Sequence, residues 1–342
     1  MRVRRLEIEN FRGIGSGSID FSPHTLLVGG NNVGKSTICE ALDLLLGPER
    51  GYRYPVVDEH DFTNGVYRST SDTSGSPEIR IHAVLTGLSD EEKRVVAWNH
   101  LRPWEDRTGT WLDEQPGGLG RVDEEDAEMA LPLVFLARYD PDEDSFVGET
   151  YFDHPRSDQL DDPSADVKTR MSAGRAVFGR RLKRLCGFVY LRTLRTGSRA
   201  LSLQRGSLLD TILRLSEEGS AEMWAETLTR LHDLDPAIGD IPQLRSILSQ
   251  VQAEVSQYIH LAPGTGSTAF FASDLTREHM REVVRLFVAS EPSGHPVPFN
   301  RQGTGTLNML VFGLLTMIAD LKGKQSVIYA MEEPETALPP HT

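Results

Sequence analysis

The sequence predicts an α/β fold, and three short segments carry that prediction. The apolar run HTLLVGG predicts a strand buried on both faces, and it leads directly into the glycine-rich loop GGNNVGKS. The following segment, STICEALDLLLG, has apolar residues at helical spacing and a glycine that ends the helix at Gly47. Near the end of the chain, SVIYAM predicts a second buried strand.

Hydrophobic patterning predicts the other elements of the amino-terminal half. Apolar residues that alternate with polar ones from Val3 to Phe11 predict an extended opening segment, and GSIDF predicts a short strand after a glycine-rich turn. PEIRIHAVLTGLS predicts a further strand. The region from about residue 105 to 166 is acidic and contains Gly and Pro, so we expect solvated loops there.

The carboxy-terminal half is predicted to be mainly helical. GFVYL predicts one strand, and two or more helices are expected over roughly 206–260. Four apolar residues support the first of these helices by their spacing: Leu208, Leu209, Ile212 and Leu215. VPFNRQGTGTLNMLVFGLLTMIADL predicts a glycine-rich turn that opens a long apolar helix.

Composition limits the compartment and the partners. The chain has 342 residues, enough for one large domain or two ordinary ones. Its net charge of −14 excludes a surface that is basic everywhere, so any contact with a polyanion would use a local patch. The two cysteines, Cys39 and Cys186, lack metal-binding spacing, and the amino terminus lacks the apolar core of a signal peptide. We therefore predict a cytoplasmic protein without membrane association.

The loop GGNNVGKS matches the phosphate-loop pattern G-x-x-x-x-G-K-[ST]. The matching residues are Gly29, Gly34, Lys35 and Ser36. Glycines allow main-chain N–H groups to curve around phosphate oxygens, and the start of the following helix adds partial positive charge. A chance match would occur in about one chain in a hundred of this length. The adjoining strand and helix patterns make that alternative weaker, so the loop predicts binding of a nucleotide.

Individual roles follow from side-chain chemistry. Lys35 is expected at the β- and γ-phosphates, the Ser36 hydroxyl on Mg²⁺, and Thr37 near the α-phosphate. Asn31 and Asn32 suit the loop because asparagine tolerates left-handed backbone and donates hydrogen bonds toward phosphate or the attacking water.

Two adjacent carboxylates follow the predicted strand SVIYAM. Glu332 is expected to hold Mg²⁺ through a water molecule, and Glu333 to polarise a water for attack on the γ-phosphate. The alternative is that the two acids only end a strand and solvate a helix start. The phosphate loop in the same chain, and Pro334 directly after the pair, favour the catalytic interpretation.

Both ends of the chain resemble known ATPases. RVRRLEIENFRGI together with LLVGGNNVGKSTICEAL resembles the amino-terminal half of an ABC-type ATPase head of the SMC and RecF kind. MEEPETAL, LRTLRTGSRAL and RQGTGTLNMLVFGLL are most similar to the OLD (overcoming lysogenization defect) family. Members of that family pair an ABC ATPase with a carboxy-terminal Toprim nuclease. The resemblance covers the acidic middle of the chain poorly.

This resemblance implies a domain order. We expect an ABC-type P-loop ATPase head, with a mixed sheet and flanking helices. Its amino-terminal lobe with the acidic loops would span 1–205, a helical dimerisation insertion 206–262, and the carboxy-terminal lobe with signature and Walker B motifs 263–342. ABC heads place a further strand and a switch histidine after the acid pair, and His341 comes too soon to be that histidine. We therefore expect a truncated head and a Toprim nuclease domain beyond residue 342. Residues 1–342 alone are expected to bind ATP better than they hydrolyse it.

The segment NRQGTGTLN resembles a degenerate ABC signature. The residues concerned are Gly303, Thr304, which replaces the usual serine, and Gly305. In such families this loop meets the γ-phosphate of ATP held by another subunit, which implies a homodimer or higher homo-oligomer. The alternative is an ordinary start of a helix.

The charge reverses between Arg170 and Arg205, where ten Lys or Arg residues occur without any Asp or Glu. This stretch either tracks DNA phosphates or forms a solvated face whose arginines pair with the acidic loops upstream. Three of the arginines lie where OLD-like sequences carry arginines on the dimer or DNA side: Arg192, Arg195 and Arg199.

A few further residues resemble positions near the nucleotide in related heads. They are Arg12, Arg53, His60 and Asp61. A plain turn is the alternative for the pair His60-Asp61. The histidines show no metal-ligand spacing.

The resemblance implies an ATP- and Mg²⁺-dependent ATPase that regulates DNA cleavage by a Toprim nuclease in anti-phage defence. Two other functions stay open. One is a nucleotide-gated sensor or scaffold that acts through a separate protein partner of a defence system. The other is a RecF-like DNA repair ATPase without nuclease activity.

Overall fold

The computed structural model of the chain describes residues 1–50, 55–68, 77–114, 127–155, 166–191, 202–204, 207–215, 287–288, 296–322 and 327–332, with single residues at 226, 229, 246, 247, 250 and 253. The chain divides into two compact units, residues 1–194 with 322–342, and residues 195–321. None of the described helices combines the length and the apolar character needed to cross a bilayer.

A seven-stranded antiparallel sheet dominates the first unit. Its strands are β1 (Arg2–Phe11), β2 (Ile14–Asp20), β3 (Glu78–Thr86), β4 (Arg102–Glu105), β5 (Thr110–Trp111), β6 (Ala127–Asp140) and β7 (Ser145–Phe152). The order is β2-β1-β3-β6-β4-β5, and β7 pairs with β6. Each of these pairings is antiparallel.

Where the first unit is described, it also contains four α-helices and a parallel pair of strands. The helices are α1 (Lys35–Leu46), α2 (Asp90–Val96), α3 (Val167–Ser172) and α4 (Arg180–Leu185). The parallel strands are β8 (Phe188–Leu191) and β11 (Ile328–Met331).

The main described elements of the second unit are two α-helices and two short strands. They are α5 (Leu208–Leu215), β9 (Phe287–Val288), β10 (Val297–Pro298) and α6 (Thr304–Lys322), whose last residue belongs to the first unit. Leu208 and Ile212 of α5 are buried, as the helical spacing predicts.

The hydrophobic core of the first unit lies between α1 and the sheet. Alternate residues of β1 and β3 are buried, including Leu6, Ile8 and Ile81, because successive side chains of a strand point to opposite faces. Helix α1 contributes its apolar face, Ala41, Leu42, Leu44, Leu45 and Leu46, to the same core. Each fully buried leucine stabilises the fold by about 1.5–3 kcal/mol. The packing therefore fixes the helix that follows the phosphate loop.

The prediction of solvated loops from about 105 to 166 is wrong for Ala127–Asp140 and Ser145–Phe152, which form β6 and β7. Strand β6 is the longest strand described, and it lies between β3 and β4 with β7 also paired to it. Acidic residues at both ends of the segment hid an apolar centre, LPLVFLA, whose side chains are all buried or nearly so. The acidic stretch 141–144 does form the exposed turn between β6 and β7.

The strand predicted from HTLLVGG is also absent. Leu26 is 79% exposed and Val28 is 84% exposed, and residues 21–30 form no strand. The Thr25 hydroxyl accepts a hydrogen bond from the Ser22 N–H at 3.0 Å and donates to the Ser22 carbonyl at 3.1 Å. Such local bonds offer the backbone an alternative to a sheet ladder.

The α/β class is confirmed, but the sheet differs from the expected mixed one. In the described part of the chain, parallel pairing occurs only between β8 and β11. Within 206–262 the structure describes residues 207–215, which include α5, and six single residues, so the helical dimerisation insertion stays a prediction. The boundaries 1–205, 206–262 and 263–342 also stay predictions.

The carboxyl end of α1 is held by side chains from distant segments. The Lys183 ammonium, buried in α4, donates a hydrogen bond to the Leu44 carbonyl at 2.8 Å. The Thr150 hydroxyl lies 3.4 Å from the carbonyl oxygens of Leu44 and Leu45. These donors satisfy carbonyls that a helix end leaves without intrahelical partners. Burial lowers the pKa of Lys183 to about 8, partly offset by Glu149, Asp43 and Cys186.

The depressed pKa of Lys183 predicts a pH-dependent stability. The unfolded chain binds the lysine proton more tightly than the folded chain, so the free energy of unfolding should rise as pH increases from about 8 towards 10.5. The gain should reach up to about 3 kcal/mol relative to Lys183→Met, which cannot titrate. Urea denaturation of both proteins between pH 7 and 10 measures the difference. A difference that does not change with pH would contradict the prediction.

Candidate nucleotide-binding site

The backbone of the loop from Gly29 to Gly34 has the curvature that its sequence predicts. Asn32 and Gly34 both adopt positive φ, 62° and 97°. A side chain at position 34 would be strained by this conformation, so glycine is required there. A Cβ atom at Gly29 would lie 3.1 Å from the Val33 side chain, a close approach that also favours glycine. The loop is exposed from Gly29 to Val33.

The Lys35 side chain folds back over this loop. Its ammonium donates hydrogen bonds to the carbonyl oxygens of Gly29 at 2.7 Å and Gly30 at 2.6 Å. A lysine ammonium has three N–H donors, so a third remains for an anion. The positive charge is therefore held where the loop curls, as phosphate binding requires.

The start of α1 provides further donors. Gly34 is the N-cap residue and supplies no side-chain hydrogen bond, and no acidic residue occurs in the first turn. The N–H groups of the first turn and the helix dipole therefore face the loop without a carboxylate competing for them. The Ser36 side chain is exposed and Thr37 is partly buried. These groups fit a phosphate chain and leave the Ser36 hydroxyl accessible to Mg²⁺.

Glu332 follows directly on β11. Its N–H donates to the Leu191 carbonyl at 3.0 Å, which prolongs the parallel ladder by one residue. The Tyr190 hydroxyl of β8 donates to Glu332 Oε1 at 2.6 Å. Burial, followed by the hydrogen bond to Glu332, raises the pKa of Tyr190, so the hydroxyl keeps its proton. The carboxylate is thus held on one oxygen by a neighbouring strand.

Glu332 also lies close to α1. Burial is the main cause that raises the pKa of Cys39 to about 11, and the charges of Glu332 and Glu40 add to it. Cys39 is one helical turn beyond Ser36, so the two side chains lie on neighbouring positions of the same helix face. The charge of Glu332 therefore acts on α1 at its fifth residue, Cys39. Glu40 and Tyr190 were not identified from the sequence, because neither belongs to a recognisable motif.

Arg12 joins α1 to the turn between β1 and β2. Its guanidinium donates from Nε to Asp61 Oδ1 at 2.8 Å and lies 2.6 Å from Glu40 Oε2. The Arg12 N–H also donates to the Asp61 carbonyl at 2.8 Å. Arg12 and Asp61, both predicted to lie near the nucleotide, thus contact each other. Arg12 also links them to α1, the helix after the phosphate loop, through Glu40. The exposed His60 ring lies 3.9 Å from the Glu59 carboxylate, and the His60 N–H donates to Asp58 Oδ1 at 2.9 Å.

The signature-like segment belongs to the second unit. Thr304 begins α6, and Gly303 and Gly305 are exposed, with no described atom within 4 Å of a Cβ built on either. No close contact within the described chain therefore requires glycine at these two positions. Their role at the ATP of a partner copy stays a prediction, and an ordinary helix start stays the alternative.

Several predicted residues lie outside the described residues. They are Glu333, Arg53, Arg192, Arg195 and Arg199.

The described part of the basic stretch is engaged within the protein. Arg175 pairs with Asp153 at 2.9 Å, and both Arg180 and Arg184 pair with Glu49. Lys183 is buried against α1. The Arg175–Asp153 pair is of the kind that the pairing alternative predicts, whereas Glu49 follows α1 and does not belong to the predicted acidic loops.

Comparison with known proteins identifies an ATPase domain. Residues 1–164 match a family described as AAA ATPase domain. A segment of 84 residues is 36% identical to an OLD nuclease from Thermus scotoductus, and it covers 23% of this chain but 14% of that protein. A segment of 48 residues is 46% identical to uncharacterized proteins from Mycobacterium bovis and Mycobacterium tuberculosis, covering 14% of this chain and 6% of each of them. The predicted resemblance to an OLD-family ATPase region is confirmed.

The backbone at Gly34 gives a test within the loop. We expect Gly34→Ala to weaken ATP binding, because a φ of 97° costs an alanine about 1–3 kcal/mol or forces the loop N–H groups to move. Gly30→Ala is the matched control, since its Cβ would meet the nearest atom at an ordinary 3.9 Å. Calorimetric titration with MgATP measures both variants. Equal affinity of the two variants for ATP would contradict the assignment.

Proposed function

We propose that this chain, whose residues 1–164 match an AAA ATPase domain, binds ATP with Mg²⁺ and hydrolyses it. One observation carries the proposal. The phosphate loop leads into α1 at Lys35, and the charge of Glu332, at the end of β11, acts on Cys39 of the same helix. A phosphate-binding loop and an acid at the end of a neighbouring strand are the two parts that P-loop chemistry needs.

In this proposal each group has one role. Loop N–H groups and the Lys35 ammonium bind the β- and γ-phosphates, and Thr37 lies near the α-phosphate. The Ser36 hydroxyl and Glu332, through a water molecule, hold Mg²⁺, which neutralises charge on the phosphate oxygens. Glu333 accepts the proton of a water molecule that attacks the γ-phosphorus, and the bond to the β-phosphate oxygen breaks to release ADP.

We propose that the active form is a homodimer or higher homo-oligomer. Gly303, Thr304 and Gly305 would meet the γ-phosphate of ATP bound by another copy. The exposure of both glycines and the helix start at Thr304 support this, since a helix N-terminus attracts anions. ATP would then join the copies, and hydrolysis would release them.

The 36% identity to an OLD nuclease supports a further proposal, that the ATPase controls DNA cleavage by a Toprim nuclease domain in anti-phage defence. A nicking assay with the complete gene product tests it. A product with intact Toprim acids that cuts no DNA with any metal or nucleotide would contradict it and favour a RecF-like repair ATPase.

A nucleotide-gated sensor is the second candidate. The observation that favours it is the engagement of Arg175, Arg180 and Arg184 in ion pairs within the chain. Guanidinium groups that are neutralised by carboxylates contribute less to DNA binding. In that case a separate protein partner of a defence system would respond to the ATP-bound form.

The Lys35 ammonium should be essential for ATP binding. We expect Lys35→Met to weaken ATP affinity about ten- to a hundred-fold, because hydrogen bonds to charged groups contribute about 1.5–3 kcal/mol. Lys168→Met is the matched control, since Lys168 is exposed in α3 and pairs with Glu149 at 3.4 Å. Fluorescent ATP titration measures both. Wild-type affinity in Lys35→Met would refute ATP binding by this loop.

Glu333 should act in hydrolysis without contributing to binding. We expect Glu333→Gln to retain ATP affinity and to lower phosphate release about 10²- to 10⁴-fold, as the loss of a general base does. Glu335→Gln, two residues further along, is the control and should behave as wild type. Equal phosphate release by Glu333→Gln and wild type would exclude the proposed role.

A further inference from the structure

We infer that Tyr190 is a positioning residue for the metal carboxylate, and that its hydroxyl orients Glu332 towards Mg²⁺. The inference deepens the proposed function and rests on it. It assigns a role at the site to β8, a strand that belongs to none of the nucleotide-binding motifs in the sequence.

The strand register places the two side chains together. In the parallel pair β8–β11, Tyr190 lies opposite Ala330. Side chains alternate along a strand, so Glu332, two residues beyond Ala330, lies on the same face as Tyr190. The bond from the Glu332 N–H to the Leu191 carbonyl continues the ladder and fixes the glutamate backbone. The carboxylate is therefore located by the backbone of one strand and the side chain of another.

The side-chain bond is of the strong kind. The distance of 2.6 Å between the Tyr190 hydroxyl and Glu332 Oε1 lies in the range of hydroxyl-to-carboxylate bonds. The phenol is partly buried and, like Cys39, packs against the main hydrophobic core. Hydrogen bonds to a charged group are stronger in such surroundings than in water. The bond engages Oε1, and in the proposed site the second oxygen, Oε2, would bind the water that coordinates Mg²⁺.

Mg²⁺ coordination explains why the Glu332 carboxylate needs a hydrogen-bonding partner. Mg²⁺ demands nearly ideal octahedral geometry, so a carboxylate that rotates freely would hold its water poorly. Glutamate has a long side chain with several rotatable bonds, and ordering it costs rotamer entropy. Partners that hydrogen-bond to metal-binding groups typically contribute ten- to a hundred-fold in metal affinity or activity. Tyr190 supplies this contact from a rigid strand.

A purely structural role for the hydroxyl predicts different behaviour. If the bond only ties β11 to β8, its removal should lower thermal stability and weaken ATP binding equally with and without metal. If the bond orients Glu332, its removal should change the Mg²⁺ concentration at which ATP binding tightens but not the affinity without metal.

The experiment compares Tyr190→Phe with Tyr329→Phe in the full chain. Tyr329 precedes Ala330 on β11, so its ring lies on the opposite face and the same hydroxyl deletion serves as the control. ATP affinity is titrated in EDTA and over a series of Mg²⁺ concentrations, and the melting temperature is recorded. We expect Tyr190→Phe to raise the half-saturating Mg²⁺ concentration about ten-fold with unchanged affinity in EDTA, while a fall in melting temperature reports only the lost hydrogen bond. Tyr329→Phe should match wild type.

Glu332→Gln and the double variant complete the test. If Tyr190 acts through Glu332, Tyr190→Phe should have no further effect on the Mg²⁺ dependence in the Glu332→Gln background. A Tyr190→Phe protein that matches wild type, or that loses folding or metal-free affinity, overturns the inference. Wild-type protein that binds ATP equally with Mg²⁺ and EDTA contradicts the proposed function itself. Mg²⁺-dependent binding that Glu332→Gln weakens and Tyr190→Phe does not leaves the proposed function standing and the inference wrong.

Discussion

The position of α1 against the sheet is the constraint on which the rest of the site depends. The helix carries the phosphate-loop lysine and serine at its start and is buried along one face of its second half. Its carboxyl end is held by Lys183 from α4, and strand β8 begins only five residues later, at Phe188. The contact that fixes the helix therefore also locates the strand that carries Tyr190. Loop, helix and carboxylate are linked by one continuous set of contacts.

Partly buried ion pairs around Arg12 define where α1 contacts the turn after β1. Arg12 contacts Asp61 and Glu40, and thereby joins the turn after β1 to the middle of α1. Partly buried ion pairs add little net stability, because removing the charges from water costs about as much as their attraction returns. Their geometry is nevertheless demanding, since breaking such a pair leaves a charge without compensation. The network therefore determines where α1 lies more than how stable the protein is.

Local signals in the sequence predicted much of the fold, and they predicted the site residues that belong to sequence motifs. The apolar alternation of β1 and β3, the glycines around α1 and the strand before Glu332 were each readable within a few residues. The prediction missed β6, because flanking acids concealed an apolar centre, and it assigned a strand to HTLLVGG, where Thr25 bonds to Ser22 instead. Tyr190 and Lys183 could not be found in this way. Their partners lie 142 and 139 residues away, and such contacts follow from packing alone.

We propose that the start of α1 and the end of β11 form one magnesium-dependent ATP site. A double-mutant cycle between Ser36→Ala and Glu332→Gln, read as ATP affinity in saturating Mg²⁺ and in EDTA, tests it most directly. Groups that hold one ion should couple, so the double variant should lose little more Mg²⁺-dependent affinity than the weaker-binding single variant. Affinity losses that add independently, or that persist in EDTA, would show that the two residues do not share a metal ion.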